Sequence, residues 1–195
     1  MKKLSTALML LFWGVVLSGQ SYPRQYASLP QINRTFSVAI HLVVDSLGNT
    51  GIEQTDIQNA INNTNQLFAP IGADFELCSL DTLPNYRYDT LSRQREFIEL
   101  QSKFHQAHRI NIYLVSLISD PFIPDDWGFT TPGGINLYNS GAIVIEKEFL
   151  NRALPHELGH FFGLLNTYEN GNELVDGSNC ATAGDRICDT AADPY

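Results

Sequence analysis

Basic residues are scarce in this chain. Twelve Lys and Arg face 21 Asp and Glu, for a formal net charge of −9, and the basic residues nowhere form a run. Such a chain is a poor candidate for binding nucleic acid or an anionic membrane surface, and neither is expected as a partner. Sulfur is scarce as well. The three cysteines, Cys78, Cys180 and Cys188, are an odd number, which leaves one unpaired or paired outside the chain. Both methionines, Met1 and Met9, fall in the first twenty residues, so the body of the protein has none. Beyond Leu17 no apolar stretch is long enough to cross a bilayer. Internal repeats and low-complexity tracts are absent, and 195 residues suffice for one domain with a sizeable core.

What is present begins with a leader. Met1-Lys2-Lys3 followed by the apolar run Ala7–Leu17 reads as a secretory signal peptide over residues 1–20, with small Ser18 and Gly19 at the cleavage point. A signal anchor is the alternative. No cysteine lies there, so a lipid-modified amino terminus is not expected. The protein is therefore expected to be secreted or extracytoplasmic, off the membrane after cleavage, where disulfides are permitted. Residues 21–34, with Pro23 and Pro30, read as a linker or short pro-segment.

The remainder alternates between strand and helix patterns. Thr35–Val44 is β-branched and apolar, a buried strand in which His41 reads as a packed residue rather than a ligand. Glu53–Phe68 has a helical stripe of Ile57, Ala60, Ile61, Thr64, Leu67 and Phe68, with Thr55 and Gln58 placed for a capping box and Pro70 and Gly72 as a stop. Ala73–Leu80 is a second strand with Cys78 on the face opposite Phe75 and Leu77. Asp81–Arg95 is a polar connection, Glu96–His105 a short helix, and His105 and His108 surface residues. Ile110–Ile118 is a third strand, Ala142–Glu146 a last short one.

The chemistry is concentrated in Leu154–Asn166, which contains His156-Glu157-Leu158-Gly159-His160. On a helix, residues four apart share a face, so two neutral imidazoles at this spacing can hold one zinc ion. Glu157, beside the first, is placed to take a proton from the attacking water. The alternative is an amphipathic helix with two hydrogen-bonded histidines. Leu158, Phe161, Phe162 and Leu165 supply an apolar face, and Gly163 can end the helix in a left-handed turn.

His156-Glu157-x-x-His160-x-x-Gly163 resembles the metzincin zinc proteases, and more narrowly the pappalysin (cytophagalysin-like) group. The resemblance runs from about Thr35 to Tyr195. It implies an α+β, zincin-like catalytic domain, with a twisted mixed sheet and an antiparallel edge strand packed on an active-site helix. Residues 35–165 would form its upper subdomain and 166–195 the start of a truncated lower one. Trp127-Gly128-Phe129-Thr130 resembles the family's edge strand, along which extended substrates align by main-chain hydrogen bonds; an ordinary surface loop is the alternative. The family pattern has a third zinc histidine where this chain has Asn166, whose amide oxygen is a much poorer ligand. It also has a later methionine turn with no counterpart here. The Cys180–Pro194 piece resembles the loop that follows the zinc motif, where Asp185 and Asp189 are candidate calcium donors or simply part of a solvated acidic loop. The expectation is a secreted zinc metalloendopeptidase acting on protein or peptide substrates. The alternatives are a catalytically inactive relative that binds peptide or calcium, or a calcium-stabilised exported module.

Overall fold

A computed structural model describes residues 31–92, 95–119, 127–131, 141–169 and 171–193. The leader and most of the 21–34 segment lie outside these residues, as do the proline-rich flanks of Trp127–Thr130. No helix among the described residues is long and apolar enough to cross a membrane.

The main sheet has five strands in the order β2-β1-β4-β7-β6. These are β1 (Arg34–Val43), β2 (Ala73–Leu83), β4 (Ile110–Val115), β6 (Gly128–Thr130) and β7 (Ala142–Glu146). β1, β2, β4 and β7 pair in parallel, and β6 joins β7 antiparallel at the edge. The centre of the sheet reads as continuous apolar sequence because it is covered on both faces. All six residues of β4 and all five of β7 are buried.

One face carries α1 (Gln54–Phe68) and α3 (Leu150–Phe161), which close a core around Ile40, Ile57, Ile61, Ile112, Ile145 and Leu158. The other face carries α2 (Arg95–Phe104) and a two-stranded sheet of β3 (Thr90–Ser92) with β5 (Leu117–Ser119). Its core includes Tyr88, Leu91, Phe97, Leu100 and Phe129. The α+β architecture and the order of its main elements are as expected.

Several local expectations are corrected. The 81–95 connection is not merely polar: β2 runs on to Leu83, and Tyr88 and Leu91 are fully buried beneath α2. The apolar run from Ile110 breaks at Ser116, whose backbone N–H turns to the Asp89 main-chain carbonyl at 2.9 Å, and Leu117–Ser119 leaves the main sheet to pair with β3. The capping box of α1 uses Glu53 and Asp56, two residues earlier than the Thr55 and Gln58 pair. Cys78 is exposed where the β1–β2 register slips, opposite the step from Val38 to Ala39, so it sits in a bulge.

His41 is a packed residue, 1% exposed, stacked on Tyr113 at 4.6 Å with Nε2 2.9 Å from Asn111 Oδ1. Burial lowers its pKa, against the opposing pull of the Asn111 hydrogen bond and the Asp81 carboxylate. His108 is exposed as expected, whereas His105 is half-buried at the end of α2.

Candidate active site on helix α3

α3 buries Leu150, Ala153, Leu154, Leu158 and Phe161 against the sheet, which leaves Arg152, His156 and His160 in a stripe on the outer side. Pro155 lies inside this helix. Its missing N–H leaves the Asn151 carbonyl without a helical partner. Asn63 of α1 supplies one, its side-chain amide donating to that carbonyl at 3.3 Å. The helix thus carries a proline one residue before the motif without losing its anchorage.

The end of the helix organises the second histidine. The chain turns at Gly163, whose φ of 98° is costly for any residue with a Cβ. The N–H of Leu164 closes back on the Gly159 carbonyl at 3.0 Å. The Leu164 carbonyl then lies 2.7 Å from His160 Nδ1. A ring nitrogen facing a carbonyl oxygen is the donor, so the lone pair of neutral His160 is on Nε2. That Nε2 stands 3.0 Å from Nε2 of His156, with the rings at 85°. Two nitrogens bound tetrahedrally to one zinc at ordinary bond lengths lie about 3.3 Å apart. The pair therefore fits a shared zinc ion with a shift of a few tenths of an ångström.

Glu157 faces the sheet edge and is 5% exposed. The hydroxyl of Thr130 on β6 lies 2.7 Å from its carboxylate and 3.0 Å from its main-chain carbonyl, and has one hydrogen to share between them. Gly128 leaves the space the carboxylate occupies: a Cβ there would come within 3.1 Å of Glu157 Oε1 and 3.0 Å of the Val144 carbonyl. The Trp127–Thr130 segment therefore does two things in the fold. It is the antiparallel edge strand, and it walls the carboxylate. The second role was not legible in the sequence, because nothing in Gly128 or Thr130 names a partner 27 to 29 residues away. Trp127 extends the pairing through its carbonyl, which accepts from Glu146 N at 2.9 Å. Phe129 points the other way and packs edge-on against Phe97.

Asn166 is half-buried just past the helix, where its main-chain carbonyl accepts from Glu169 N at 3.0 Å. Its side-chain amide forms no hydrogen bond with any described residue. No group of three His, Cys, Asp or Glu able to hold a metal occurs among the described residues. In the loop that follows, Cys180 and Cys188 form a disulfide and Cys78 is a free thiol. Asp185 is 9% exposed and accepts from Ile187 N at 2.8 Å, while Asp189 is exposed. Sequence reasoning passed over Glu173, a buried carboxylate packed against Gly184.

The sheet, its antiparallel edge strand and the helix with paired imidazoles make up a metzincin-like metalloprotease fold. A promirolysin variant from Tannerella forsythia shares it, with a TM-score of 0.57 at 16% identity over 84% of this chain and 64% of that one. In sequence the chain is similar to an extracellular metalloprotease from Podospora anserina, 28% identical over 178 residues, covering 80% of this chain and 55% of the relative. It is also similar to one from Colletotrichum graminicola, 24% identical over 172 residues, covering 81% and 58%. The chain thus spans little more than half the length of these curated relatives. No protein-family model matches it.

Proposed function

We propose that the chain is the zinc-binding part of a secreted metalloendopeptidase of the pappalysin-like kind. The observation that carries this is the convergence of His156 Nε2 and His160 Nε2 to 3.0 Å beside the walled-in Glu157 carboxylate. His156 and His160 hold zinc, and Asn166 offers its amide oxygen at the third position. Bound zinc supplies Lewis-acid polarisation of the scissile carbonyl and of the attacking water. Glu157 accepts the proton of that water and delivers it to the leaving amine, while Thr130 holds the carboxylate in place. The outer edge of β6, which no described strand covers, receives an extended peptide. Residues 35–165 form the upper subdomain and 166–195 begin the lower. Calcium is proposed as a second ion in that loop, with Asp185 and Asp189 as its candidate oxygen donors.

A second reading, a catalytically inactive relative that binds peptide without turnover, is favoured by Asn166. Zinc analysis of the chain and of Asn166→His, with peptide hydrolysis by both and by Glu157→Ala, separates the two. Proteolysis requires zinc near one per chain and hydrolysis that drops by roughly 10²–10⁴-fold in Glu157→Ala. Equal cleavage by Glu157→Ala would sink it, and zinc held only by Asn166→His would favour the inactive relative.

A further inference from the structure

Arg152 stands one turn before His156 on the same stripe of α3, exposed to solvent. Its guanidinium lies 4.0 Å from the centroid of the Trp127 ring. Trp127 is stacked in turn on Phe149, at 5.2 Å and 24°. A cation held over an indole that is itself braced has less freedom than one at the end of an unsupported side chain. Among the described residues, Lys147 is committed to Asp89, Arg87 to Glu96 and Glu99, and Lys103 to Glu99. Arg152 has no acidic partner among the described residues, and even Glu148, four residues earlier, forms no ion pair with it.

For a peptide added antiparallel to β6, the commoner pairing, the polarity of the edge strand says which part would meet this cation. A peptide added antiparallel to β6 runs against the direction Gly128 to Thr130. Its residues before the scissile bond lie alongside Thr130, and those after it lie alongside Gly128 and Trp127. The bond itself must face Glu157, which touches Gly128 and Thr130.

We propose that Arg152, presented on Trp127, is a specificity-determining residue that binds a substrate carboxylate two or three residues beyond the scissile bond on its C-terminal side. The carboxylate is an Asp or Glu side chain or the peptide's own terminus. This rests on the proteolytic reading above.

The test uses zinc-loaded full chain and quenched-fluorescence peptides that are matched except for Glu or Gln at those positions, each with a free or an amidated C-terminus. The Glu peptides or the free-acid peptides should be favoured by roughly 3–10-fold in kcat/KM, mostly through KM, as for a partly exposed charge-assisted pair. Which of the two is favoured identifies the source of the carboxylate. Arg152→Ala should bring the ratio to near one, and Arg152→Lys, which keeps the charge without the plane, should restore part of it.

Binding gives an independent readout. With Trp13→Phe, Trp127 is the sole tryptophan. Its fluorescence in the Glu157→Ala background should respond at lower concentration to the carboxylate peptides than to their neutral partners. Hydrolysis without any carboxylate preference, or a preference that survives Arg152→Ala, overturns the subsite and leaves proteolysis standing. Neither hydrolysis nor binding of any peptide overturns both.

Discussion

The two sides of Asn166 are built differently. From Arg34 to Phe161 the chain closes two apolar cores, and the strands at its centre are wholly buried. From Asn166 to Asp193, Ala183 is the one buried apolar residue among those described. Leu174 and Val175 are exposed, and two carboxylates, Glu173 and Asp185, are buried instead. The first region is held by packing. The second is held by turns, by the Cys180–Cys188 disulfide and by hydrogen bonds such as that of Asn179 Oδ1 with Leu174 N. The imidazole pair and Glu157 stand on the packed side, and Asn166, the proposed third position, begins the other. Two thirds of the candidate metal site are therefore set by the core, and the remainder by a segment that has almost none.

Substitutions can break that contrast. The largest effect is expected from Ile112→Ala at the centre of β4, where loss of a fully buried side chain should cost about 2–5 kcal/mol in denaturant unfolding. A loss well under 1 kcal/mol would mean the centre of the sheet is not what holds the first region. A smaller effect on the main transition is expected from Cys180→Ser combined with Cys188→Ser. Limited proteolysis should then cut sooner within 166–193, while the unfolding of the packed side moves by less than about 1 kcal/mol. A fall as large as that of Ile112→Ala would show that the two regions unfold as one.

The smallest effect is the pH dependence of the packed side. Burial depresses the folded-state pKa of His41 below its ordinary value. The unfolded chain therefore binds the proton first as pH falls through about 6.5. Stability attributable to this residue is full above that pH and is lost toward the depressed folded-state pKa. Melting measured from pH 8 to 5 should show this acid-side decline, reduced in His41→Gln. The same slope in both proteins would assign it to other groups.

Much of this architecture was legible because parallel strands buried on both faces read as apolar runs. Val38–Val43, Ile110–Val115 and Ala142–Ile145 could hardly be anything else. The i, i+4 spacing of His156 and His160 carried its own geometry, and the edge strand at Trp127–Thr130 came from the family resemblance. What escaped was tertiary. Thr90–Ser92 is too short for a period, and its burial depends on α2 lying over it. Arg152 reads as an ordinary solvated residue until Trp127 is brought beneath it. The inward turn of Thr130 toward Glu157 depends on how β6 lies against α3, which neither segment announces.

The sheet has two outer strands, and they are not equivalent. Along β2, exposed Asp74 and Glu76 flank a ladder interrupted by the bulge at Cys78. Charge and irregularity at an edge discourage a passing chain from adding to it, and so guard against edge-to-edge aggregation. β6 pairs with β7 in unbroken register. Among the described residues, the two edges of the main sheet therefore differ as templates: β2 is charged and broken in register, whereas β6, beside Glu157, is regular.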